Sequence, residues 1–267
     1  MRLSPRKKWS AAVSAEADHR PRPASHNTML PAGGAEGAQN AHAVTVKTLV
    51  LILSVIAGST DVIGFLGLNG LFTAHITGNL VMLAAHLIAG DVDILASLLS
   101  VPVYIVIMFL TRLIALRLAR NNKPTLRPLL ALQMLLLVGF LALGNAAPPA
   151  ANALQGVTAG MLGVAAMAVQ TALVQISLTG APSTAVMTTN IAHFTLALAD
   201  WVSGGERTRV ARTRMIELLP AILGFTIGSA VGAAGEVLWG LYALVAPIGL
   251  ALLTVAVAHP PSRRQAP

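Results

Sequence analysis

The chain has no cysteine, which excludes disulfide stapling, thiolate metal sites, thiol nucleophiles and iron–sulfur clusters. Charge is scarce as well. Only 10% of the 267 residues are Asp, Glu, Lys or Arg, where a water-soluble domain carries roughly a quarter, so this chain cannot dress a surface for water. Catalytic motifs are missing too: there is no Gly-x-Ser-x-Gly elbow, no His-Glu-x-x-His pair and no phosphate-cradling glycine loop, and these absences speak against an enzyme. No His-x-x-x-His or carboxylate cluster stands at ligand spacing, so neither a metal nor a cofactor is expected. What is present is apolar. Hydrophobic residues make up 55% of the chain and mean hydropathy is +0.73, which together describe an integral membrane protein whose first partner is the lipid bilayer. The net charge of +8 would suggest nucleic acid on a soluble face; here the basic residues mark topology, and no nucleic-acid partner is expected.

Residues 1–43 mix Arg2, Arg6, Lys7, Lys8, Arg20 and Arg22 with Pro, Ala, Ser and Gly and show no apolar period. They read as a disordered basic cytoplasmic tail. Apolar segments follow at Val46–Leu68, Phe72–Gly90, Ile94–Leu118, Leu126–Gly144, Leu154–Leu178, Thr184–Gly204, Met215–Gly235 and Leu241–Ala258, and residues 259–267 form a second cytoplasmic tail. Each run approaches the ~20 residues that a spanning helix needs. Two are unusually polar: the second holds His75, Thr77, Asn79 and His86, the sixth Thr188, Asn190, His193 and Asp200.

Those two segments resemble each other. Thr73–Leu80 aligns without gaps on Thr184–Ile191, an offset of 190 − 79 = 111, and the same offset sets the first segment on the fifth, the third on the seventh and the fourth on the eighth. The chain therefore reads as two membrane repeats, 46–144 and 154–258. The eighteen Lys and Arg fall in four clusters: up to Lys47, Arg112–Arg127, Arg207–Arg214, and Arg263 with Arg264. Short basic loops stay cytoplasmic, so an even number of crossings separates neighbouring clusters. Three apolar segments lie between the first and second clusters and three between the second and third, so one of each three does not cross. The polar pair are the natural candidates. The expected fold is all-α: six spanning helices plus two re-entrant half-helices as an inverted repeat, both termini cytoplasmic, with Asp91 and Asp93 outside. The alternative is eight spans in a parallel repeat.

Irregular backbone at membrane depth persists only where protein buries it or water reaches it. Two opposed half-helix starts near Asn79 and Asn190 would aim N–H groups and amides at the midplane and form an uncharged constriction. Asp61 lies within the first span, where an ionisable group costs at least about 2.5 kcal/mol and so faces a cavity or a partner; His75, His86 and Asn79 are the candidate partners, and an Asp with a His can carry a proton. The expected solute or ion pathway is Asp61, His75, Thr77, Asn79, Thr188 and Asn190. In the second half Gln170 and Thr171 stand near the counterpart of Asp61, polar but uncharged. Gly224, Gly228 and Gly232 follow one face of the seventh segment and let another helix approach closely. Packing within the chain is the favoured reading, with a homo-oligomer left open.

Gly58-Ser59-Thr60-Asp61, followed by Phe72-Thr73-Ala74-His75-Ile76-Thr77-Gly78-Asn79, resembles the YoaK-like family of bacterial inner-membrane proteins, domain of unknown function 1275, over roughly residues 46–258. The departure is Thr188-Thr189-Asn190, which lacks the glycine, with Gln170-Thr171 where a Gln-Asn pair is expected. The resemblance implies a multi-pass protein of the bacterial plasma membrane and assigns no substrate. The function expected from the residues is a transporter or channel for a small solute or ion; a membrane-embedded enzyme and a membrane scaffold or regulator are the rival readings.

Overall fold

The computed structural model describes residues 32–89, 94–146, 153–205 and 207–258. The chain divides into two compact units, Met1–Gln39 and Asn40–Pro267, and every contact named below lies in the second. Asp91, Asp93, Arg263, Arg264 and the basic residues before Ala32 fall outside the described residues.

The described residues form helices and no strand. The helices are α1 (Ala32–Gly67), α2 (Ile76–Ala89), α3 (Ile94–Arg120), α4 (Leu126–Gly144), α5 (Ala153–Ser177), α6 (Met187–Ser203), α7 (Thr208–Trp239) and α8 (Val245–Val257), with a 3₁₀ turn at Gly240–Leu244 before α8. Five helical stretches are long and apolar enough to cross a membrane: Thr45–Gly67, Ile94–Arg120, Leu126–Gly144, Leu154–Ser177 and Thr208–Val257. Thus the chain is a multi-pass membrane protein. α1 starts at Ala32, inside the segment whose composition reads as tail, because Ala, Glu and Gln favour helix there and no proline interrupts it before Gly67. Helices α2 and α6 are shorter than the apolar runs that contain them: residues 72–75 and 184–186 are extended or turning chain rather than helix.

The last apolar stretch is two legs. A Cβ on Gly235 would stand 3.0 Å from the Cβ of Ala243, whereas an unbroken helix would separate residues eight apart by about 12 Å. The chain folds back at Gly240, whose φ of 58° lies in the region that favours glycine. The returning leg runs antiparallel to α4: Leu241 lies against Gly144 at the far end of α4, and Arg127 near its start donates to the Ala256 carbonyl at 3.2 Å.

α1 and α5 form the centre, with 61% and 72% of their apolar stretches buried against 17–28% for the other three. Residues 163–174 of α5 are buried throughout, so this helix has no lipid face along that length. The two run antiparallel: Gln170 donates to the Leu53 carbonyl at 2.8 Å, while Gly160, earlier in α5, meets Leu68 and Leu71 just beyond α1. α7 runs parallel to α1. Gly224 meets the Leu51 carbonyl, Gly228 the backbone of Val55, and Gly232 that of Ser59, where an added Cβ would stand 2.7 Å from Cα. The glycine stripe therefore packs within the chain, backbone to backbone.

Candidate functional site

The first polar segment takes its shape from the end of α1. Asn69 and Gly70 adopt positive φ (51° and 86°), and the chain turns back along the helix it has just left. Thr73 fits between Gly64 and Gly163, where any side chain on either glycine would strike its methyl group. Ala74 and His75 then reach Asp61. α2 retraces this path: Gly78 lies against the Phe72 ring, Asn79 bonds Phe72, and the Met82 methyl meets Gly70. As α2 advances its partners step backwards, so the helix heads towards the end of α1 from which the chain came.

Asp61 gathers the start of α2. Its Oδ1 accepts the Ala74 N–H at 2.6 Å, the His75 N–H at 3.3 Å and the Thr73 hydroxyl at 3.5 Å. Its Oδ2 lies 2.6 Å from His75 Nδ1. A carboxylate only accepts, so Nδ1 carries the proton of this bond, and Nε2 is the ring nitrogen turned away from Asp61. The carboxylate is 4% exposed and the imidazole 36%, with the His75 ring edge-on to Phe225 and Phe72 at centroid distances of 5.4 and 6.0 Å. Of the three candidate partners the turn selects His75. His86 Nδ1 is buried with no partner among the described residues, and Asn79 is committed elsewhere.

Asn79, wholly buried, accepts the Phe72 N–H at 2.9 Å and donates to the Phe72 carbonyl at 2.7 Å. Its amide therefore serves both main-chain groups of one residue. The second half repeats the bond: Asn190 donates to the Ser183 carbonyl at 2.7 Å, and both residues follow at the offset of 111 (72 + 111 = 183; 79 + 111 = 190). The start of α6 is capped differently. Ala185 and Val186, the counterparts of Ala74 and His75, donate to the Ser183 hydroxyl at 3.3 and 3.0 Å. A local hydroxyl thus does in one half what a distant carboxylate does in the other.

The six expected pathway residues separate into groups. Asp61, His75 and Asn79 converge on the start of α2. Asn190 holds the start of α6, and Ala74 and Ala185, which precede α2 and α6, belong to the same buried apolar cluster. Thr77 and Thr188 are exposed on the first turns of their helices and make none of these bonds. Sequence reasoning missed Gln133. Its Nε2 donates to Gln170 Oε1 at 2.6 Å, and Gln170 in turn donates to Leu53 and to the Thr184 hydroxyl at 2.8 and 2.9 Å, a buried bridge across α4, α5, α1 and the chain before α6. The signal was available, since Gln133 is the one amide in the leucine-rich run of α4, and polar groups at such depth have partners. Among the described residues no three His, Asp or Glu side chains stand close enough to hold a metal ion.

Residues 49–257 match a family model described as "Protein of unknown function (DUF1275)". No curated protein and no solved structure matches the chain.

Proposed function

The chain belongs to this family, whose description assigns no activity, and we propose from its geometry that it is a transporter or channel for a small solute or ion, not an enzyme. The observation that carries this is the pair of short helices, α2 and α6, each tethered at its start by an Asn to the main chain seven residues earlier. α2, at 14 residues, spans about 21 Å, short of the ~30 Å hydrocarbon core. Its return towards the end of α1 supports a segment that enters and leaves on one side. Helix directions support six crossings: alternation through six spans makes α1 antiparallel to α5 and α4 antiparallel to the returning leg of α8, whereas eight spans would make both pairs parallel. With three spans per half the repeat is inverted, a plan common among transporters. In this reading both termini and the Arg112–Arg127 loop face the cytoplasm of a bacterial cell.

Asp61 and His75 are the groups that contact solute or proton, with the free Nε2 as the exchanging atom. Asn79 and Asn190 hold the half-helix starts, and Thr77 and Thr188 flank them. An enzymatic reading would need a nucleophile beside the Asp61–His75 pair, and the nearest hydroxyl, Thr73, is bonded to the carboxylate itself.

Single cysteines at positions 92 and 122 test the layout in this cysteine-free background. Labelling of intact cells from outside is expected at 92 alone, and labelling at 122 rejects the six-span reading. Function is tested in reconstituted vesicles loaded with a pH-sensitive dye and challenged with xylitol, urea, acetate and an imposed proton gradient. At least one flux should exceed that of protein-free vesicles and fall in Asp61→Asn. If no flux exceeds the protein-free rate, the transport reading is wrong.

A further inference from the structure

Residue 183 is serine where its repeat counterpart, residue 72, is phenylalanine. In the first half the Phe72 ring fills its corner, 4.6 Å from the Phe65 ring and against Gly78. In the second half the corner is open. A cavity of about 320 Å³ occupies it, with Thr171, Gln175, Leu178, Thr179, Ser183 and Thr184 in its wall. At about 30 Å³ per water molecule that is room for roughly ten waters, or for a solute of about ten heavy atoms.

Two hydroxyls of this wall, those of Ser183 and Thr184, keep a proton to donate, while that of Thr171 is spent on the Met167 carbonyl at 2.9 Å. Ser183 Oγ already accepts two main-chain N–H bonds, which leaves its own proton to give. Thr184 is 2% exposed and its oxygen accepts from Gln170; no acceptor among the described residues takes the Thr184 proton. A buried donor of this kind needs an acceptor. Gln175, on the exposed side, offers an amide that both donates and accepts. No Asp, Glu, Lys, Arg or His lines the cavity, so an ion would lose hydration there without a compensating charge. We propose that this cavity binds a small neutral polyol, whose hydroxyl oxygens accept from Ser183 and Thr184 and whose hydroxyl protons go to the Gln175 carbonyl. Ser177, at the same end of α5, lies 3.2 Å from Thr125, so this end of α5 adjoins the start of α4. The inference rests on the transport reading only for the passage of the polyol; binding stands apart from it.

The test is alkylation of Thr179→Cys by N-ethylmaleimide in lipid nanodiscs, with a cysteine at position 122 as reference, in the presence of xylitol, potassium acetate or potassium chloride. Xylitol should slow alkylation at 179 and leave 122 unchanged, and the two salts should slow neither. Thr184→Val should weaken xylitol protection about tenfold, the loss of one hydrogen bond of ordinary strength, and Thr184→Ser should retain it. Because Thr184→Val also strips Gln170 of an acceptor and can fail to fold, Gln175→Leu, an exposed change, provides a second variant with the same expected loss. Absence of xylitol protection overturns the proposal, as does protection by acetate in its place or full protection in Gln175→Leu. Alkylation reads occupancy without any gradient, so protection without vesicle flux faults the transport reading alone, and flux without protection faults this site alone.

Discussion

Replacing Asn79 and Asn190 separately with Ala compares the tethers at the starts of α2 and α6 directly. The truncations remove the same atoms from two almost fully buried sites, so the cavity contributions largely cancel and the difference reports hydrogen bonding. Asn79→Ala leaves both the N–H and the C=O of Phe72 without their partner, while Asn190→Ala leaves the C=O of Ser183 without one and otherwise gives up a long contact of 3.9 Å to the Met187 sulfur. A buried polar group stripped of its partner costs about 1–3 kcal/mol. The expected losses are therefore about 2–6 kcal/mol at position 79 and about half that at 190. Reversible unfolding in mixed micelles with increasing dodecyl sulphate measures both against the unaltered protein. Equal losses at 79 and 190, or losses below about 1 kcal/mol at both, would refute the claim that these amides hold the starts of α2 and α6.

Other predictions follow from the same contacts. Gly228→Ala drives a methyl group into the backbone of Val55, with 2.8 Å to its Cα, and should cost at least the ~1–3 kcal/mol typical of overpacking; Gly249→Ala meets nothing within 4 Å and should be stabilising or neutral in the same unfolding assay. A double-mutant cycle of Asp61→Asn and His75→Gln should return a coupling of about 1–3 kcal/mol, since the 2.6 Å contact joins the two side chains directly; coupling near zero would mean that the pair is not formed in the membrane.

Much of the architecture was legible in the residues alone. Hydropathy placed the chain in the membrane, because 55% apolar and 10% charged residues leave no other solvent in which it can fold. The glycine spacing marked α7 as a close-packing face, and the 111-residue offset paired the two Asn residues before any bond between Asn and main chain was visible. The helix starts expected near Asn79 and Asn190 fall within three residues of those observed, Ile76 and Met187, and the apolar runs extend ahead of them because apolar composition does not separate helix from extended chain buried in protein.

The partners were decided only in three dimensions. Nothing in the run from Phe72 to Asn79 says that one residue bonds the other, since that pairing requires the reversal at Asn69 and Gly70 to bring the chain back alongside α2. Asp61 had three candidate partners, and the same reversal selected His75. Gln133 and Gln170 meet because α4 and α5 run antiparallel at that depth. Periodicity and composition fix which face of a helix avoids water. Which side chain covers that face, and which donor meets which acceptor, depends on loop closure and on the distance at which two backbones can stop, and both are set by the packed whole.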